Sequence, residues 1–282
     1  MKMWLSRLLG LLVLCLFIFM AVVGRQHLVG TTKFTRQIYR SRMRPTILVP
    51  GSSATQERFN SMVSSLNKTG KKHSLLKLTV KKDNKISYSG HLAANDEQPY
   101  IVIAFEDNTD SYTTIKKQAK WLQLALTQLQ KKYRFRSFNA IGHSNGGLDW
   151  TLYLEKYYDD SSFHMMKLMT IGSPYNFELE SSSHRTQMLT DLIANREELP
   201  EDLTVYNVAG TNSYDGDYIV PIASVESGKY IFQKQVKHYT QITVTGDDAQ
   251  HSDLPQNEEV LALISEHILN IKMKGNKSIR PF

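Results

Sequence analysis

Residues 139–147 read NAIGHSNGG and contain the pattern Gly-X-Ser-X-Gly, with Ser144 at its centre. A strand is predicted at 138–141 and a helix from Leu148, so the serine lies at a sharp turn between them. Such a turn strains the serine backbone and exposes its hydroxyl, and a Cβ atom two residues to either side would collide with neighbouring backbone. The stretch therefore indicates a nucleophilic serine. The alternative is an ordinary glycine-rich turn or one that binds phosphate. The GxxxxGK[ST] spacing of a phosphate-binding loop is not present, which argues against phosphate binding.

The chain around this stretch alternates between predicted strands and predicted helices. Strands are predicted at 46–49, 75–80, 85–88, 100–105, 138–141, 166–171, 203–208 and 241–244, and helices near 59–66 and at 112–133, 148–158 and 258–273. The strands at 75–80 and 85–88 flank a polar turn and predict a hairpin. Apolar strands that alternate with helices indicate a mostly parallel sheet with helices on both faces. The fold class is α/β, and with the serine turn it is the α/β-hydrolase fold.

A serine hydroxyl needs a base to accept its proton and a carboxylate to orient that base. In this fold the acid and then the histidine follow the serine along the chain. His251 is the predicted base, because it lies in the polar loop GDDAQHSDLPQN between the last strand and the last helix. Asp217 is the predicted acid, because residues 218–221 (YIVP) would anchor its loop in the core. Asp215 is the alternative acid.

Hydrolysis of an acyl bond also needs two backbone N–H groups that stabilise the developing negative charge, the oxyanion hole. One should come from Asn145, the residue after the nucleophile. The other should come from the loop after the first apolar strand, which reads PGSS at 50–53. Ser52 and Ser53 are the two candidates for this second donor.

The formal net charge of +7 comes from the N-terminus, because residues 1–45 hold eight Lys and Arg and no acidic residue. The rest has 26 basic and 27 acidic residues, so nucleic-acid binding is not expected.

Residues 8–23 form an apolar run after Lys2 and Arg7. We predict a signal peptide or a retained anchor at 1–24, a basic stalk at 25–44 and the hydrolase domain at 45–282.

This organisation predicts an extracytoplasmic protein, secreted or anchored at the cell surface. The stalk would contact the membrane or an anionic envelope polymer, or would be a solvated spacer. The basic residues after the apolar run oppose export by the positive-inside bias, although long domains translocate largely regardless of charge. Cys15 is the single cysteine, so the predicted domain contains no disulfide and no cysteine nucleophile.

The segments ILVPGSS (47–53), IGHSNGG (141–147), GSPYN (172–176), DYIVP (217–221) and the pair His251-Ser252 resemble a family of Gram-positive α/β hydrolases. Its members are often labelled cell-surface hydrolases and were first grouped as a family of unknown function, DUF915. The resemblance runs from about residue 46 to 271 and implies the fold and a hydrolase site, with the substrate undefined. In the family, glycine and two valines follow the acid, where this chain has Tyr218 and Ile219. Many relatives have His-Gly where this chain has Pro50-Gly51.

The sequence predicts a serine hydrolase that cleaves a carboxylic ester or a related acyl bond, with no metal and no organic cofactor. Its partner is a small-molecule or lipid-like ester. Met188, Leu189, Leu192 and Ile193 have the spacing of a helix face. This helix could be a lid over an apolar substrate or could pack on the body. Two alternative functions remain. The protein could be an acyltransferase, or it could bind the cell envelope without using Ser144, Asp217 and His251 for catalysis.

Overall fold

The computed structural model describes residue 20 and residues 42–179, 184–212 and 215–271. The predicted signal or anchor at 1–24 and the stalk at 25–44 lie outside this part, apart from residue 20 and residues 42–44. Contacts divide the chain into two units, Met1–Arg42 and Met43–Phe282, and the elements below belong to the second. No helix in the described ranges is long and apolar enough to cross a membrane.

The described residues of this unit form one eight-stranded sheet. Its strands are β1 Thr46–Val49, β2 Leu75–Val80, β3 Ile86–Gly90, β4 Tyr100–Phe105, β5 Ser137–His143, β6 His164–Ile171, β7 Thr204–Thr211 and β8 His238–Thr245. The spatial order is β3-β2-β4-β1-β5-β6-β7-β8, and every pairing is parallel except the β2–β3 hairpin. The predicted α/β class, the hairpin and the mostly parallel sheet are therefore confirmed.

Helices cover both faces of the sheet. They are α1 Asn60–Thr69, α2 Tyr112–Tyr133, α3 Asn145–Lys156, α4 Gln187–Asn195, α5 Ile222–Glu226, α6 Lys229–Phe232 and α7 Glu258–Leu263. The central strand β1 shows the two layers. Ile47 and Val49 pack in the cluster that contains α2, α3 and α4, whereas Leu48 packs in the cluster that contains α1 and α7. Because both faces are covered, β1 and β4 are buried at every position, which explains their unbroken apolar sequences.

Two predicted details of the helices differ from the structure. The helix predicted at 258–273 ends at Leu263 and continues as a π-helical turn, Ile264–Ile268. The apolar side of α4 is part of the core, because Met188, Leu189 and Leu192 are at most 1% exposed and pack with the body. The fourth residue of this face, Ile193, is partly buried against the same core. The interpretation of this helix face as a lid is therefore wrong, since the face packs on the body.

The strand order brings several loops to one edge of the sheet. In parallel strands the carboxyl ends lie at the same edge, where α/β folds bind their ligands. Residues 50–53 follow β1, Ser144 follows β5, Asp217 follows β7 and His251 follows β8. The topology alone thus places the predicted site residues on the same side of the molecule.

Candidate active site

Ser144 occupies a strained turn between β5 and α3. Its backbone has φ 56° and ψ −130°, a conformation with positive φ that is rare for a residue with a side chain. Its N–H donates to the carbonyl of Ile171 at the end of the neighbouring strand β6, at 2.9 Å. The serine is thereby held at the carboxyl edge of the sheet, with its side chain lining a cavity.

The glycines at 142 and 146 are required by close backbone approach, as the sequence predicts. A Cβ atom on Gly142 would lie 2.5 Å from the carbonyl carbon of Gly146, and one on Gly146 would lie 2.0 Å from the carbonyl oxygen of Val49. Both distances are far below van der Waals contact, and the obstructing atoms are backbone. The turn can therefore form only without side chains at these positions.

We expect Gly146→Ala to destabilise the protein by about 3 kcal/mol, because the added methyl group must push α3 away from β1. Urea unfolding measures the change. Gly70→Ala is the matched control: its Cβ would meet the end of a flexible side chain, Ile271 Cδ1, at 3.1 Å. We expect this control to shift the free energy of unfolding by less than about 1 kcal/mol. Equal shifts in the two variants would contradict the steric explanation.

His251 and Asp217 form a buried pair. The Nδ1–H of His251 donates to Oδ2 of Asp217 at 2.7 Å, and Asp217 is 1% exposed. The other oxygen, Oδ1, accepts the backbone N–H groups of Ile219 at 3.1 Å and Val220 at 2.7 Å. Asp215 is exposed, so the geometry brings Asp217 rather than the alternative acid to the histidine.

Gly172 connects this pair to the turn that carries Ser144. It follows Ile171, whose carbonyl accepts the N–H of Ser144, and it has φ +58°. A Cβ atom on Gly172 would lie 3.2 Å from both Asp217 Oδ2 and His251 Nδ1. The glycine at the end of β6 thus leaves room for the pair directly beside the strand end that holds Ser144.

The loop after β1 supplies the candidates for the second oxyanion donor. The N–H of Ser53 donates to the carbonyl of Asn108 at 3.0 Å, so this N–H is already used. Ser52 has no such backbone bond in the described part of the chain and therefore fits the role better. The first candidate donor, the N–H of Asn145, lies at the first residue of α3, where helix N–H groups have no partner within the helix.

Sequence reasoning missed the contact between His143 and the backbone of His251. Its Nε2–H donates to the backbone carbonyl of His251 at 2.9 Å, and the two rings lie 4.8 Å apart. Burial lowers the pKa of His143 well below its usual value, and the charges of His251 and Arg58 act in the same direction. The ring is therefore neutral and holds the His251 backbone as a donor. The sequence places His143 in the turn but carries no signal for this contact.

The cavity at this edge has a volume of about 930 Å³ and is lined by Ser144 and His251. One part of its wall is apolar and is formed by Tyr112, Pro174, Phe177, Leu179, Ile219 and Val220. Arg58, Asp110 and Glu178 add charged groups. Asp110 accepts a hydrogen bond from the side chain of Asn145 at 2.8 Å. The site thus combines space for an apolar group with charged positions near the candidate machinery.

Comparisons with known proteins agree with this architecture. The model of a family described as α/β hydrolases of unknown function (DUF915) matches residues 33–271. A solved structure described as a candidate cell surface hydrolase from Lactobacillus plantarum WCFS1 is 54% identical, with a TM-score of 0.76 over 82% of this chain and 94% of the other. The lin2722 product of Listeria innocua is 28% identical, with a TM-score of 0.73 over 82% and 96%. A search of curated proteins finds no match. The chain therefore belongs to the DUF915 family of α/β hydrolases.

Proposed function

We propose that this α/β hydrolase cleaves a carboxylic ester or a related acyl bond through an acyl-enzyme on Ser144. The observation that carries the proposal is the hydrogen bond of 2.7 Å between His251 Nδ1 and the buried Asp217 carboxylate, beside a serine on a strained turn. A pair of this kind is the arrangement that activates a serine hydroxyl. The same three residues follow each other along the chain in the order that the fold uses.

The chemistry proceeds in two halves. The Ser144 hydroxyl attacks the ester carbonyl, and its proton passes to Nε2 of His251, the ring nitrogen that Asp217 does not occupy. Collapse of the tetrahedral intermediate breaks the acyl–oxygen bond, and His251 gives the proton to the leaving alcohol. Water then attacks the acyl-enzyme by the same route and releases the acid. Asp217 holds the ring and stabilises its protonated form throughout.

The negative charge on the carbonyl oxygen would be stabilised by the N–H groups of Asn145 and Ser52. Both are backbone donors, so they are oriented by the fold and need no rearrangement during the reaction. The hydrogen bond from the Asn145 side chain to Asp110 fixes the start of α3 and so supports the direction of the first donor. The apolar wall of the cavity favours a small-molecule or lipid-like acyl group.

We further propose that the enzyme works outside the cytoplasm. The relative from Lactobacillus plantarum, at 54% identity, carries a name that places it at the cell surface. The apolar run at 8–23 behind two basic residues is typical of a signal peptide or an anchor. The basic residues that follow would lie near anionic headgroups or an anionic envelope polymer.

A fluorophosphonate probe tests the proposed activity directly, because it bonds covalently to a serine whose hydroxyl is activated. We expect the wild-type chain to be labelled on the peptide that contains Ser144, and Ser144→Ala to remain unlabelled, as read by mass spectrometry. Ser252→Ala is the control, since Ser252 is exposed and lines the same cavity. A wild-type chain that resists the probe would refute the hydrolase mechanism and favour a binding protein with an unused triad.

A further inference from the structure

Arg58 lies in the cavity beside the predicted base. Its Nη2 donates to the backbone carbonyl of Ser252, the residue after His251, at 2.6 Å, and its Nη1 donates to Oε1 of Gln256 at 3.3 Å. These two bonds hold the guanidinium, which is carried by the turn just before α1, against the segment that follows the histidine. Arg58 itself lines the cavity together with Ser144 and His251.

The guanidinium has no ion-pair partner in the described part of the chain, where no carboxylate oxygen lies within 4.0 Å of it. Burial lowers the pKa of Arg58, and the more distant charge of Asp253 only partly opposes this effect. A partly buried cation that is not engaged in an ion pair stays available to an anion that enters the cavity. A guanidinium carries five N–H donors, so donors remain beyond the two bonds to Ser252 and Gln256.

The negative side chain whose position in the cavity is fixed by a hydrogen bond lies near a different part of it. Asp110 is bonded to the side chain of Asn145, at the start of α3, and Glu178 belongs to the loop after β6. The positive group therefore adjoins the loop of His251, whereas a negative group adjoins the nucleophile helix. An anionic part of a substrate would be attracted to the histidine side of the cavity.

In the proposed mechanism the leaving alcohol is the part of the substrate next to His251, because the ring returns its proton to that oxygen. We propose that Arg58 binds an anionic group, a phosphate or a carboxylate, carried by the leaving alcohol of the ester. Guanidinium groups bind both anions through paired hydrogen bonds. This inference rests on the proposed function and adds to it the chemical class of the alcohol. The acyl–oxygen bond breaks, the acyl group stays on Ser144, and the anionic alcohol leaves with the proton.

A binding experiment tests Arg58 without requiring turnover. Ser144→Ala is titrated calorimetrically with glycerol 3-phosphate and with 3-hydroxybenzoate as probe alcohols, and with glycerol as the neutral reference. We expect the anionic alcohols to bind and glycerol not to bind, and we expect Arg58→Gln in the same background to weaken binding at least tenfold. Lys120→Gln, which removes one exposed positive charge outside the cavity, should not change the affinity. Equal affinity with and without Arg58, or no binding of either anion, would overturn the proposal.

A kinetic experiment locates the anion on the alcohol side. For the wild type, kcat/KM is compared between 3-acetoxybenzoate and its neutral amide, and between 4-nitrophenyl hydrogen succinate and 4-nitrophenyl butyrate. In each pair the kcat/KM of the charged ester is divided by that of the neutral ester. We expect Arg58→Gln to lower this ratio at least tenfold for the first pair, whose charge is on the alcohol, and to leave it unchanged for the second pair, whose charge is on the acyl group. Arg58→Lys should retain part of the preference for the charged ester of the first pair. A loss shared equally by the charged and neutral esters of the first pair would show a purely structural role and reject the proposal. If the protein neither turns over any ester nor reacts with the fluorophosphonate, the result counts against the proposed hydrolase activity. The calorimetric titration would still decide whether Arg58 binds the anion.

Discussion

Replacing Ser144 by alanine is expected to lower kcat for 4-nitrophenyl butyrate by about 10⁶-fold, the order found when a serine hydrolase loses its nucleophile. Without the hydroxyl no acyl-enzyme can form, and the remaining rate comes only from water attack assisted by the oxyanion hole and by binding. The methyl group fits the same space, because Ser144 already has its Cβ atom at a position with positive φ. The loss should therefore be chemical and not a failure to fold.

Initial rates at saturating ester measure this loss, and thermal unfolding of both proteins checks that the fold is retained. Ser252→Ala serves again as the matched variant, because it removes a hydroxyl from the same cavity without touching the turn. We expect it to keep kcat within about threefold, a difference of less than about 1 kcal/mol in the barrier. Retention of more than a few per cent of the wild-type rate in Ser144→Ala would be incompatible with the proposed nucleophile.

The elements that can be read from the sequence are those whose signals are local. The apolar sequence YIVIAF defines β4 because both faces of that strand are buried. The turn at Ser144 is defined by two glycines and a serine, because close backbone approach excludes a Cβ atom at both glycines and the serine has a positive φ. The sequence does not indicate the short helices α5 and α6, since five and four residues are too few to show a helical period.

The features that could not be predicted depend on which surfaces meet in three dimensions. The apolar face of α4 has the same spacing whether it packs on the body or covers a site, and only the fold shows that it packs on the body. The support of His251 by His143 joins residues 108 positions apart. The position of Arg58 likewise depends on a bond to Ser252, 194 positions away. No pattern within one segment carries such information.

The choice between Asp215 and Asp217 shows how a local turn decides which carboxylate meets His251. Residues 216–221 form a tight turn in which Gly216 pairs with Pro221, the N–H of Asp217 donates to the carbonyl of Val220, and Tyr218 has φ +71°. This turn directs the Asp217 side chain inward and leaves Asp215 exposed. Two aspartates separated by a single glycine cannot be distinguished in the sequence without knowledge of that turn.

Asp217→Asn is therefore the second variant with a large expected effect, a loss of about 10⁴-fold in kcat, the size seen when the acid of another serine triad becomes an amide. The reason lies in the hydrogen bonds of the two carboxylate oxygens. Oδ1 accepts two backbone N–H groups, so the amide oxygen must take that place and the amide NH₂ must face His251 Nδ1. An NH₂ group donates, which forces Nδ1 to become the acceptor and moves the ring proton to Nε2. The ring then presents a proton to Ser144 and cannot accept one.

Asp215→Asn is the matched control, because it makes the same chemical change two residues away on an exposed side chain. We expect it to keep kcat within about threefold, which corresponds to less than about 1 kcal/mol. Measuring kcat as a function of pH for both variants adds a check, since the wrong ring tautomer should depress the rate at every pH and not merely shift the profile. The opposite result, in which Asp215→Asn loses the activity and Asp217→Asn keeps it, would contradict the assignment. In that case His251 would be oriented by Asp215 in a different loop conformation, and the buried pair of His251 and Asp217 would not take part in catalysis.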